Sequence, residues 1–268
     1  MIFRNYTPKY PLGEFIDIIW YWEGKNLLKG KECALPSGTM ELVINLDSPK
    51  TSDSIVSGAR STHFVIGDTN QERLLGIHFR PGGAFPFLPF PFGELHNQSI
   101  NLSDLWGESR ASQLLSLLHE AETVGTLHDV ETVTAKFEVL EKWLLASLVH
   151  PPQHHPAVAY SMKQISAHSG LSTADLDEKV NYSQRRFIQI FRNEVGLPPK
   201  LFSRVLRFQG VLDEVETQTE VNWLDIALRF DYYDQAHFIH DFREFSGHTP
   251  AKYLTLRTEH RNHISSPS

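Results

Sequence analysis

Two stretches of this sequence carry the residue types that read nucleic acid, and they are copies of one pattern. YSQRRFIQIFRNEVGLPP (182–199) aligns without a gap to YDQAHFIHDFREFSGHTP (233–250). Phe187 then pairs with Phe238, Phe191 with Phe242, Arg192 with Arg243, Gly196 with Gly247 and Pro199 with Pro250. Within 185–207, Arg185, Arg186, Arg192, Lys200, Arg204 and Arg207 stand against Glu194 alone. Clustered cations neutralise phosphates and release counterions, which is the chemistry of nucleic-acid contact. A charge run by itself is more often a solvated face. The elements that hold these residues therefore decide the matter.

Each copy has the marks of one helix. Ser183 and Asp234 can accept from the first free helical N–H groups. The paired phenylalanines lie four residues apart, so both rings share a buried face rather than offering stacking platforms. Gly196 and Gly247 suit a left-handed terminus, and a proline soon after stops continuation. Upstream lie short amphipathic segments, Thr173–Val180 and Asn222–Phe230. Each unit thus reads helix, short turn, helix. A bland helical bundle has the same outline, and the local positive charge favours a DNA-binding pair. Helices are expected near 157–168, 173–180, 184–195, 199–216, 222–229, 235–246 and 250–255.

The first half of the chain has another rhythm. Phe15–Trp22, Met40–Leu46, His63–Gly67 and Leu74–Phe79 are short apolar runs bounded by turn formers, which read as strands of a small barrel or sandwich. Periodic apolar residues after Ser103, and again over Val133, Phe137, Leu140, Leu144 and Leu148, indicate two flanking helices. HPPQHHP (150–156) breaks the second and reads as a linker. The expected division is a domain over 1–149, the linker 150–156, a second domain over 157–256 and a flexible tail over 257–268. The class is α+β with two domains.

The 268 residues hold 25 Lys+Arg against 32 Asp+Glu, a formal charge of −7. That total argues against nucleic acid only until it is divided. Residues 1–157 hold 12 basic and 18 acidic side chains, whereas 158–268 hold 13 and 14. Net charge governs the particle's solubility, and a groove meets only the local patch. The single Cys33 excludes an internal disulfide, and MIFRNYTPKY lacks the apolar stretch of a signal peptide. A cytoplasmic location with no membrane association is expected.

The segment 158–254 resembles the AraC family of bacterial transcription regulators. IALRFDYYDQAHFIHDFREFSGHTPAKY (226–253) is similar to that family's signature in both residue types and spacing. The resemblance implies two helix-turn-helix units joined by a long helix, here Pro199–Glu216. It implies base-reading positions at Gln184, Arg185, Ile188 and Gln189 on the first recognition helix. On the second they are Gln235, Ala236, His237 and His240. Arg186, Arg192, Arg204, Arg207 and Arg243 are then assigned to DNA phosphates or local ion pairs. Three departures stand out: Asp231 replaces the turn glycine of the second unit, Asp177 and Asn181 occupy small-residue and turn positions of the first, and His240 stands at an often basic position. ALPSGTMELVINL (34–46) and GIHFRPGGAFPFLPFP (76–91) resemble the cupin-like β-barrel domains fused to such regulators, which bind effectors or dimerise.

The implied partners are double-stranded DNA, a small-molecule effector, a second copy of the chain and, for an activator, RNA polymerase. Trp20, Trp22, Phe79 and Phe85 are the candidates for an effector pocket, beside a more ordinary role in the core. No cofactor is expected and no enzyme motif is present. His63 and His78, on expected strands, lack a third converging ligand for a metal. Two alternatives stay open: a metal-dependent cupin enzyme with a helical appendage, and a protein-interaction module whose DNA surface has decayed.

Overall fold

The computed structural model describes residues 2–24, 32–66, 72–124, 130–167, 182–216, 218, 220–258 and 262–265. The chain forms two compact units. The first comprises 1–27, 39–58 and 69–153, and the second 28–38, 59–68 and 154–268. The Pro-rich segment is therefore one of several crossings rather than a single boundary.

In the first unit, strands β1 (Ile2–Tyr6), β2 (Ile16–Glu23), β4 (Glu41–Asn45), β5 (Ile55–Ser57), β7 (Arg73–Phe79) and β8 (Ser99–Asn101) make one antiparallel sheet in the order β1-β2-β7-β4-β5-β8. The expected barrel is thus an open sheet with β1 and β8 at its edges, while the two-domain α+β class stands. Ile16, Ile19 and Tyr21 of β2 and Leu75, Ile77 and Phe79 of β7 are buried, the alternation that packs one sheet face on a core. Gly76 is needed where it stands: a Cβ there would lie 2.0 Å from the Trp20 ring on the neighbouring strand. Three helices cover the sheet, α1 (Leu102–Trp106), α2 (Glu108–Glu120) and α3 (Val130–Ala146). Leu114, Leu118, Leu140 and Leu144 form their buried stripe.

The second unit is helical, with α4 (Pro156–Ala167), α5 (Gln184–Val195), α6 (Pro199–Glu216), α7 (Trp223–Arg229), α8 (Gln235–Ser246) and α9 (Pro250–Leu256). These bounds follow the periodicity closely. The expected helix 173–180, with Asp177 and Asn181, lies outside the described residues. The tail is a correction. Instead of fraying throughout, His263–Ser265 forms β9, which pairs antiparallel with β3 (Glu32–Ala34), and β3 pairs in turn with β6 (Phe64–Ile66). Cys33 and Ile264 are buried in this small sheet, and His263 Nδ1 donates to Glu32 Oε2 at 2.9 Å. Apolar Ile264 and the edge of β3 satisfy each other, which composition of the tail did not disclose.

Candidate nucleic-acid interface

The two expected recognition helices are α5 and α8, and the same local chemistry starts and ends both. The Ser183 hydroxyl accepts from Arg186 N at 3.4 Å, and the Asp234 carboxylate from His237 N at 2.7 Å. Gly196 (φ 89°) and Gly247 (φ 75°) close them in the left-handed region, where a glycine carries no Cβ penalty. Pro199 and Pro250 then open the next helices, α6 and α9.

Phe187, Phe191, Phe238 and Phe242 are all buried, as their spacing requires. The long helix α6 gathers both sets. Its Phe202 lies 5.6 Å from Phe191, and its Phe208 5.2 Å from Phe242, measured between ring centroids. Trp223 on α7 stacks on Phe238 at 5.9 Å, which fixes the second helix pair as one body. With their apolar faces committed inward, α5 and α8 turn their remaining residues outward. Gln184, Arg185 and Gln189 are exposed and Ile188 is half-buried. Gln235, Ala236, His237 and His240 are exposed as well. All eight positions thus lie on two helices of one framework.

The turn before α8 departs from glycine at a cost that the structure shows. Asp231 adopts φ 55°, a left-handed conformation that Asp tolerates better than most residues. Its carbonyl accepts from Arg207 Nη1 at 3.4 Å, and the Arg207 guanidinium lies 4.0 Å over the Tyr232 ring.

A family model described as a helix-turn-helix domain matches residues 176–255. The C-terminal segment is thus similar to helix-turn-helix domains. A second model, for a domain of unknown function (DUF6597), matches residues 4–101. No curated protein matches the chain. Among solved structures it is similar to ToxT from Vibrio cholerae, at 10% identity and a TM-score of 0.40, over 95% of this chain and 97% of that one. An unsaturated fatty acid-bound ToxT aligns at 10% identity and a TM-score of 0.39, over 99% and 96%. An apo ToxT variant aligns at 12% identity and 0.39, over 95% and 96%. The family match and the helix frame, not these distant likenesses, carry the assignment.

Within this segment the five arginines expected near phosphates or in local ion pairs separate into two groups. Arg186, Arg192 and Arg243 are exposed. Arg204 and Arg207 on α6 turn inward instead. Arg204 Nη2 bonds Asp241 Oδ1 at 2.8 Å and Glu244 Oε2 at 2.5 Å, and Arg207 Nη2 bonds Asp241 Oδ2 at 3.0 Å. Asp241 is 2% exposed, so these are buried struts between the linking helix and the second recognition helix. Burial would raise the Asp241 pKa, but the bonds and charge of Arg204 and then Arg207 reverse it, and the carboxyl titrates below its usual range. These bonds place Arg204 and Arg207 in ion pairs, one of the two roles expected for them. His240, Asp241 and Glu244 also lie close enough to hold a cation, but both carboxylates are committed to Arg204.

The histidines and aromatic residues singled out in the N-terminal part of the chain take several separate positions. His63 falls in the second unit, where a Cβ on Gly247 would lie 2.6 Å from its ring, while His78 falls in the first and meets Thr39 Oγ1 at 3.4 Å. Trp22 and Phe79 are core residues, Trp20 covers Gly76, and Phe85 stacks on His150 at 4.6 Å.

The residues that sequence reasoning missed form a charged cluster in the first unit. Arg73 on β7 bonds Asp47 at 2.8 Å and Glu122 at 2.8 Å, and Lys136 on α3 lies 3.2 Å from Glu122. One signal was available: Lys136 sits on the same helical face as Val133 and Leu140, where a charge is out of place. Among the described residues no helix is long and apolar enough to cross a membrane.

Proposed function

We propose that the chain is a sequence-specific DNA-binding transcription regulator whose α5 and α8 enter adjacent major-groove segments about one helical turn apart. The supporting observation is the repeated frame: two helices with like caps, like buried phenylalanines and outward polar residues, both gathered on α6. In this reading Arg185 bonds two acceptors of a guanine, the glutamines suit adenine, and Ala236 meets a thymine methyl. Arg186, Arg192 and Arg243 hold phosphates, which orient the domain without reading sequence. The first unit senses a small molecule, brings two copies together, or does both, and RNA polymerase is the partner if the regulator activates.

The test is selection of bound sites from random duplex DNA by the full chain. A common motif with two parts spaced by about one turn is expected. A pool without any shared motif would overturn the reading, and it would favour an interaction module with a helix-turn-helix frame.

A further inference from the structure

The charged cluster of the first unit borders a cavity of about 420 Å³. Its walls come from the residues after β4, from the start of β7 and from α2 with the one-turn segment Ala121–Val124. Leu46, Pro49 and Leu115 give it an apolar side, while Arg73, Ser112 and Glu122 give it a polar end. The volume is within the range of small-molecule sites, and an apolar wall with a few convergent polar groups is their usual composition.

The polar end has an unusual arrangement of charge. Glu122 Oε1 is shared by Arg73 Nη1 at 2.8 Å and Lys136 Nζ at 3.2 Å, and Glu122 Oε2 faces His119 at 3.4 Å. Lys136 is fully buried and does not line the cavity; Glu122 stands between them. Its ammonium is held by the Glu122 carboxylate, and the Tyr21 ring lies 5.4 Å away. A buried ammonium needs such an anion beside it, and loss of the partner is costly. Burial lowers the Lys136 pKa, and the charge of Glu122 opposes that shift.

We propose that this cavity binds a small organic carboxylate, whose anionic head takes the place of the Glu122 carboxylate between Arg73 and Lys136. The charge count selects a monoanion. Asp47 already neutralises Arg73 from its other edge, so exchange of one carboxylate for another leaves the cluster balanced. Glu122 is carried on a single 3-10 turn, an element with poor hydrogen-bond geometry and little resistance to movement. Once displaced it reaches water beside exposed His119. The ligand's apolar body then lies along Leu46, Pro49 and Leu115. The site deepens the sensing half of the proposed function and rests on it for regulatory meaning, while binding itself needs no DNA.

The experiment is calorimetry and thermal unfolding of the full chain with benzoate and hexanoate, against benzamide, hexanol and inorganic phosphate. Both carboxylates should bind at one site and raise the melting temperature, and the uncharged counterparts should not. Glu122→Gln weakens the internal competitor and should tighten carboxylate binding about tenfold or more. Lys136→Met should abolish it. Absence of carboxylate binding in both the wild type and Glu122→Gln overturns the site, as does tighter binding of phosphate or of the uncharged probes. Unchanged binding by Lys136→Met does the same, and if that variant fails to fold the comparison of wild type with Glu122→Gln still decides. Duplex binding by the same preparations separates the two ideas. A chain that binds selected DNA but no carboxylate overturns only the site, and one that binds carboxylate but no DNA overturns only the regulator.

Discussion

The two recognition helices share a frame and differ in what they show to solvent. α5 presents Arg185, Arg186 and Arg192, while α8 presents His237, His240 and Arg243 and keeps Asp241 beneath them. The buried phenylalanines match residue for residue, while Glu194 and Val195 stand where α8 buries Phe245 and Ser246, and the exposed positions have diverged in charge. Packing tolerates little change at Phe187, Phe191, Phe238 and Phe242, whereas a groove-facing position is free to take whatever its target demands. The comparison teaches that the first helix is suited to electrostatic anchoring and the second to shorter-range contacts.

The largest expected effects test whether the frames are equivalent. Phe191→Ala and Phe242→Ala should each cost about 3–5 kcal/mol in urea unfolding. A large inequality between them would mean that one helix pair is held more loosely. Next comes the strut present only under α8. Asp241→Asn leaves Arg204 and Arg207 without their buried carboxylate and should cost about 3–5 kcal/mol. Because the folded Asp241 titrates below its ordinary 3.8, its stabilisation is present above that pH and is lost as pH falls through the lowered value. The variant should therefore lose the part of the acid limb below about pH 4 that this group contributes. An unchanged limb would deny Asp241 that role.

Smaller effects address the reading surfaces. Arg185→Ala should cost about 1–3 kcal/mol of DNA affinity and relax preference at one base position. Arg192→Ala should weaken all sequences alike and reduce the salt slope by about one. A uniform loss with Arg185→Ala would move that residue to the phosphates. The smallest difference lies at the caps. Ser183→Ala and Asp234→Ala should each cost about 1 kcal/mol, with Asp234 the larger because its bond is the shorter and charged.

Much of the second unit was legible before any coordinates. Ser183, Phe187, Phe191, Gly196 and Pro199, and their counterparts from Asp234 to Pro250, act within one helix or at its ends, so their spacing alone states what they do. The strands Phe15–Trp22 and Leu74–Phe79 were visible for the same reason. β3, β5, β8 and β9 were not: each is three residues long and, unlike β6 in His63–Gly67, was not marked by an apolar run between turn formers. Among the site residues, exposure of Arg185 and its neighbours follows from the helix face opposite the phenylalanines. The inward turn of Arg204 and Arg207 does not, because it depends on a carboxylate more than thirty residues away in sequence. The cavity beside Arg73 was hidden likewise: Asp47, Glu122 and Lys136 come from three separate elements.

The sequence by itself determined the helix-turn-helix repeat, its caps, its buried aromatic residues and the positions that face outward. These depend on interactions local in the chain, which repeat with the period of a helix. Tertiary structure alone decided that Arg204 and Arg207 pair with Asp241, where the tail docks and how the N-terminal segments 28–38 and 59–68 join the second unit. Gln209 Nε2 donates to Pro36 O at 2.8 Å and His63 N to Phe245 O at 3.1 Å, pairings set by where distant backbone groups are left unsatisfied. Backbone groups and buried charges must find partners wherever the fold brings them, and one-dimensional spacing holds no record of that.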